Sequence, residues 1–257
     1  MKRRTPIPSR AKPVERRASF DALCGRRWPE GPDEGRSACP HPGPLPQAGE
    51  GAPSLDPFYP IVDSAEWVAR LVGVGAKLVQ LRVKDKDEAT IARETRAALA
   101  VCAKTGATLV VNDYWRVAIA ERAPWVHLGQ SDLDGADIAA IRKAGVKLGV
   151  STHDDAELER ALALDPDYIA LGPIYPTILK AMAFPPQGLP RLKEWKRKIG
   201  KLPLVGIGGI TLERVAGVLE AGADSAAVVT DITRNADPEQ RARDWMKATR
   251  KFAIQIP

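Results

Sequence analysis

The chain has 257 residues, with 38 Lys plus Arg against 32 Asp plus Glu (formal charge +6) and 44% hydrophobic residues. No run approaches the roughly 18 apolar residues that a membrane-spanning helix requires, so an integral helical membrane protein is excluded. Three cysteines, Cys24, Cys39 and Cys102, are too few and too scattered for a disulfide framework or a Cys-x-x-Cys metal site. They point to a reducing, cytoplasmic compartment.

The averages conceal a split. Residues 1–57 hold 11 of the 22 prolines, 6 of the 21 glycines and only 6 residues of type Leu, Ile, Val or Phe. Such a segment cannot bury enough apolar surface to offset the entropy of ordering it, and it is expected to be a disordered tail. It carries 10 basic and 7 acidic residues, leaving 28 against 25 for residues 58–257. With no basic stripe on the folded part, the isoelectric point of about 9.3 gives no support to nucleic-acid binding. The start Lys2-Arg3-Arg4 lacks the apolar stretch of a secretory signal, and Glu15, Asp21 and Glu30 count against a transit peptide. Residues 39–52, CPHPGPLPQAGEGA, resemble the translation of a bacterial intergenic repeat, which suggests a start assigned too early or an inserted repeat.

From Phe58 onward, short β-branched or apolar runs alternate with helical patterns. The expected strands are 58–63, 77–83, 108–113, 125–130, 147–152, 168–174, 203–209 and 225–231. Asp63-x-x-Glu66 and Thr152-x-x-Asp155 have the spacing of helix N-terminal caps, while Gly75, Gly106, Gly145 and Gly222 stand where helices should end. Strand–helix alternation implies parallel pairing with right-handed crossovers. Eight repeats over 58–252 predict an α/β fold, a (β/α)8 TIM barrel, as one catalytic domain behind the 1–57 tail. An open dinucleotide-binding sheet fits poorly. The first turn, Asp63-Ser64-Ala65, has no glycine, and Thr211 breaks the G-x-G-x-x-G spacing of the turn that starts at Gly206.

In such barrels the active site lies at the C-terminal ends of the strands. Period-two geometry in the second strand puts Val79, Leu81 and Val83 toward the helices and Gln80, Arg82 and Lys84 toward the axis. A solvated strand end would explain one inward cation, but two converging on a barrel mouth suit an anion. The third strand ends in Asn112-Asp113, and Gln130-Ser131-Asp132 follows the fourth. Either Asp alone has the alternative role of helix N-cap; both together, with no His or Cys cluster, suit a hard cation such as magnesium held with substrate phosphates. Gly208-Gly209 and Val229-Thr230, after strands seven and eight, occupy the recurrent phosphate site of this fold. The loop from Tyr175 to Gly188 contains Thr177 and Lys180 and is long enough to be a binding loop. Two anion stations suggest two phosphorylated substrates, one with a diphosphate leaving group. His127, mid-strand, reads as an interior residue and His153 stays open; Trp115, Trp125 and Trp195 read as packing residues.

The strings QLRVK (80–84), VNDYWRVAIA (111–120), VHLGQSDL (126–133), LGVSTHDDAELERAL (148–162), LGPIYPT (171–177), PQGL (186–189) and VGIGGIT (205–211) resemble the thiamine phosphate synthase family, in order and over essentially all of 58–250. The resemblance implies condensation of a hydroxymethylpyrimidine diphosphate with a hydroxyethylthiazole phosphate, or its carboxylated form, with release of pyrophosphate. It further implies that Gln80, Arg82, Lys84, Asn112, Ser151 and Lys180 hold the pyrimidine diphosphate, and that Asp113 and Asp132 hold Mg2+. Thr177, Gly209, Val229 and Thr230 would hold the thiazole phosphate, with Arg82, Lys84 and Lys180 assisting the departing diphosphate. Where the family often reads T-x-T-K, this chain has Leu179 before Lys180, which removes a hydroxyl from the thiazole-phosphate contact. Two other readings are a thiazole tautomerase, which would use a His at the position of His153, and a non-catalytic barrel that binds the phosphorylated thiazole. A tautomerase has no use for Asp113 and Asp132, whose presence favours the synthase. The sequence leaves a homo-oligomer open. Removal of residues 1–55 is expected to leave activity nearly unchanged, measured on the purified shortened chain; a large loss would assign the tail a role.

Overall fold

The computed structural model describes residues 55–177 and 184–253, so most of the 1–57 tail lies outside the described residues. Eight parallel strands close into a barrel. Each strand and its following helices run in order: β1 Phe58–Val62 and α1 Ala65–Gly73; β2 Leu78–Leu81 and α2 Glu88–Thr105; β3 Thr108–Asn112 and α3 Trp115–Ala120. Then come β4 Trp125–Leu128 with α4 Gln130–Leu133 and α5 Ile138–Lys143, and β5 Lys147–Thr152 with α6 Asp155–Leu162. β6 Tyr168–Leu171 precedes α7 Gly188–Ile199, β7 Leu204–Ile207 precedes α8 Leu212–Glu220, and β8 Ser225–Val228 precedes α9 Thr230–Thr233 and α10 Pro238–Ala253. β8 pairs with β1 through Tyr59↔Ala227, so no strand edge remains open. No helix among the described residues is long and apolar enough to cross a membrane.

Every expected strand forms, but five end two or three residues earlier than the apolar pattern does, β1 and β3 stop one residue short, and β5 ends at Thr152 as expected. β2 stops at Leu81, β4 at Leu128, β6 at Leu171 and β8 at Val228. The residues beyond are still short or apolar, yet the chain has already left the ladder to build loops. The glycine stops hold: Gly75, Gly106, Gly145 and Gly222 all take positive φ just past a helix. The N-terminal caps are shifted. Ser64, not Asp63, accepts the Trp67 N–H, and Asp154, not Thr152, accepts the Glu157 N–H.

Alternation sorts the strand residues into two cores. Val79 and Leu81, followed by Val83, face the helical layer with Phe58, Leu109, Val126, Leu148 and Trp195. Inside the barrel, Tyr59, Leu78, Val110, Trp125, Tyr168 and Val205 pack together. Leu55 closes the base of this interior, and the Asp56 carbonyl accepts a hydrogen bond from Ser225 Oγ (2.7 Å). That anchorage makes residue 54 a better truncation point than residue 55.

His127 projects from β4 into this interior, where burial holds its pKa down to about 4 against 6.5; the nearby Asp113 charge opposes the shift and Arg82 adds to it. The unfolded chain binds a proton at His127 below about pH 6.5 and the folded chain does not until about pH 4, so stability falls as the pH drops through that window. The contribution is on the order of 3 kcal/mol. Urea denaturation from pH 7 to 4 should show this slope, and His127→Gln should flatten it; an unchanged slope would show that the ring is not kept neutral by burial.

Candidate functional site

The C-terminal rim of the barrel surrounds a cavity of about 640 Å³ whose lining draws on residues from β1 through β8 and the loops that follow them. Of the residues singled out in the sequence, Gln80, Arg82, Asn112, Ser151, Thr177, Gly209, Val229 and Thr230 all line it. They come from six different strand ends, so only closure of the sheet brings them together. Lys180 and Leu179 lie outside the described residues.

One side of the cavity combines buried amides with rim charge. Gln80 is 2% exposed and Asn112 5%, while Arg82 is exposed. Gln80 Nε2 donates to the Tyr59 hydroxyl at 2.9 Å. Asn112 Nδ2 is buried without a hydrogen-bond partner among the described residues. An unmet buried donor facing a cavity is costly unless a ligand supplies the acceptor. Ser151 Oγ lies 2.8 Å from His127 Nε2, and its carbonyl accepts from Gln130 Nε2 at 2.7 Å.

Lys84 departs from the expected arrangement. The strand ends at Leu81, so strict alternation no longer governs Lys84; instead of lining the cavity, its Nζ donates to Asp113 Oδ2. Asp113 takes a left-handed backbone, φ 65°, immediately after Asn112. Aspartate tolerates that region better than most residues. Asp132 sits in α4 and its Oδ2 accepts the Gly129 N–H at 3.1 Å, closing the turn after β4. Its pKa is raised, first by burial and then by the adjoining Asp113 carboxylate. Two carboxylates from neighbouring strand ends are an oxygen donor set that suits a hard divalent cation. The residues therefore fit magnesium. Among the described residues no cluster of three or more His, Cys, Asp or Glu competes for that role.

The opposite side of the cavity is made of backbone. Gly208 and Gly209 have φ of 95° and 64°, and a Cβ on Gly208 would meet Pro173 while one on Gly209 would overlap the Pro176 carbonyl. Glycine is thus required twice, by conformation and by the close approach of the loop after β6. Hydrogen bonds from Ile174 N to Ile207 O (2.8 Å) and Tyr175 N to Gly208 O (3.0 Å) lock the two loops together. Val229 and Thr230 are held from behind by Asp231, whose carboxylate accepts from Arg241 Nε (2.9 Å), Trp245 Nε1 (2.6 Å) and Leu212 N (3.2 Å).

Several lining residues were not evident in the sequence. Trp67 and Arg234 border the cavity without belonging to any pattern that marks them, while Asp63, read as a helix cap, and Pro173, within the string 171–177, were not singled out as site residues. His127 is interior, as expected, and it also reaches the cavity floor. His153 stands at the wall, with Nδ1 2.7 Å from Glu157 Oε2 and its ring stacked 4.6 Å from Phe184. Trp125 and Trp195 are buried packing residues and Trp115 leans on the outer core.

Comparison with known proteins agrees with this geometry. Residues 58–232 match the family model described as thiamine monophosphate synthase. A thiamine-phosphate synthase of Rhizobium etli is 63% identical over 195 residues, covering 76% of this chain and 96% of that protein. One from Cronobacter sakazakii is 50% identical over 195 residues, covering 76% and 90%. Among solved structures, thiamine phosphate pyrophosphorylase from Pyrococcus furiosus superimposes with a TM-score of 0.69 at 25% identity, over 77% of this chain and 96% of that one. The chain belongs to the thiamine monophosphate synthase family.

Proposed function

We propose that the protein is a thiamine phosphate synthase. It joins 4-amino-2-methyl-5-(diphosphooxymethyl)pyrimidine to 4-methyl-5-(2-phosphoethyl)thiazole, or its 2-carboxy form, and releases pyrophosphate. The observation that carries the reading is one cavity of about 640 Å³ with amide and cationic groups on one side and a glycine-backbone wall on the other. A single phosphorylated ligand would need only one of these. Membership of the family and the names of the relatives point the same way.

In this reading Gln80 and Asn112 hold the pyrimidine, while Arg82, Ser151 and Lys180 take the diphosphate. Gly209, Val229, Thr230 and Thr177 take the thiazole phosphate. Asp113 and Asp132 would hold Mg2+, which neutralises charge on the diphosphate when bound. Lys84, paired with Asp113, stands ready to meet a diphosphate oxygen. The chemistry is a substitution in which the bond from the pyrimidine methylene to the diphosphate breaks before the thiazole nitrogen attacks. It needs no protein nucleophile, and the chain's contribution is alignment of the two substrates and stabilisation of departing negative charge.

Purified protein with both substrates and Mg2+ should give thiamine phosphate and pyrophosphate; a folded protein giving neither would overturn the proposal. Asp113→Ala should lower turnover by on the order of 10²–10³-fold. It should also abolish the rise in thermal midpoint that Mg2+ gives the parent protein. Full turnover with an intact Mg2+ shift in that variant would remove Asp113 from the metal site.

A further inference from the structure

Beneath the cavity, five side chains from five strands form one continuous hydrogen-bonded row. Gln80 Nε2 donates to Tyr59 OH (2.9 Å), Tyr59 OH meets Tyr168 OH (3.0 Å), Tyr168 OH meets His127 Nδ1 (2.8 Å), and His127 Nε2 meets Ser151 Oγ (2.8 Å). Its two ends, Gln80 and Ser151, line the cavity; Tyr59 and Tyr168 are completely enclosed, at 1% and 0% exposure. The row has a dedicated seat. Gly149, on β5, pairs with both His127 and Tyr168, and a Cβ there would overlap the Tyr168 ring. Space has been left in the barrel wall for that phenol.

Each internal member has one proton to give along the row. A neutral imidazole donates from one nitrogen and accepts at the other, and a phenol that accepts from one neighbour donates to the next. The direction at one end therefore sets the direction at the other. Resting on the reading that Ser151 faces the diphosphate, its hydroxyl must donate outward, because a diphosphate offers only acceptors. Ser151 Oγ then accepts from His127 Nε2–H, His127 Nδ1 accepts from Tyr168, Tyr168 accepts from Tyr59, and Tyr59 accepts from Gln80 Nε2–H. This leaves Gln80 Oε1, which has no partner among the described residues, as an acceptor facing the cavity.

We propose that Tyr59, Tyr168 and His127 are positioning residues that make diphosphate binding at Ser151 enforce selection of an amino group at Gln80. An exocyclic amine on the pyrimidine satisfies the Gln80 carbonyl; the corresponding 4-oxo compound sets acceptor against acceptor and is rejected. Without the row, Gln80 is free to turn its amide and accept either ring.

The test compares turnover of 4-amino and 4-oxo pyrimidine diphosphates by the full chain and by Tyr168→Phe. The variant should lose about tenfold of the kcat/KM preference for the amine, the worth of one oriented hydrogen bond. KM for the thiazole phosphate should not change. Tyr59→Phe should give the same loss, and the double variant no more than either alone, since each cuts the same row. Preference retained in either single variant, or equal loss on both pyrimidines, would overturn the proposal. If the parent protein made no thiamine phosphate from the amine, the synthase reading itself would fall.

Discussion

Closure of the sheet between β1 and β8 is the constraint on which the rest of the molecule depends. In a closed parallel barrel, every second residue of eight strands is committed to one shared interior, and that interior has to be filled. Here the filling changes with height. The base is apolar, with Leu55, Leu78 and Trp125. The middle is uncharged but polar, with Tyr59, Tyr168 and His127 hydrogen-bonded to one another. The top opens into the cavity, which Arg82 lines, while Lys84, Asp113 and Asp132 gather beside it at the strand ends. Such a gradient follows from the cost of burying charge, which is far greater than that of burying a satisfied hydroxyl.

The same constraint explains what could be read in advance. All eight strands were legible because strands covered on both faces are continuous apolar or β-branched runs, and positive-φ glycines mark the helix ends. Strand ends were less legible. After Leu81 or Leu171 the residue types stay compatible with a strand, while pairing with the neighbour has already stopped. The shift from Asp63 to Ser64 as cap has a similar origin, since both side chains can cap and only the entry angle of the chain selects one. The rim residues Gln80, Arg82 and Asn112 were readable because they interrupt apolar runs at strand ends, while Ser151 was reached only through the family resemblance. The pairing of Lys84 with Asp113 was not readable, because no single-strand rule includes the left-handed turn that puts that carboxylate beside it. The row from Gln80 to Ser151 was invisible for a different reason: its members are up to 109 residues apart and meet only through the barrel register.

The two sides of the cavity solve anion binding differently, and the difference is physical. The wall at Gly208 and Gly209 uses peptide N–H groups fixed by packing against Pro173 and Pro176, so it needs little rearrangement and presents no net charge. The opposite rim carries exposed cations, Arg82 and Lys84, and the carboxylates of Asp113 and Asp132; in the proposed reading these meet the larger charge of a diphosphate. A site that must release pyrophosphate and then the joined product gains from this asymmetry.

The uncharged middle layer also bears on why this chemistry can run inside a barrel. A carbocation-like pyrimidine forming beside an ionised phenol or carboxylate would be captured by it or would collapse back onto it. Burial pushes the Tyr59 and Tyr168 hydroxyls well above their ordinary pKa and holds His127 below its own, so all three stay neutral beneath the ring. The floor therefore presents neutral, hydrogen-bonded groups to the cavity above it and no ionised nucleophile of its own.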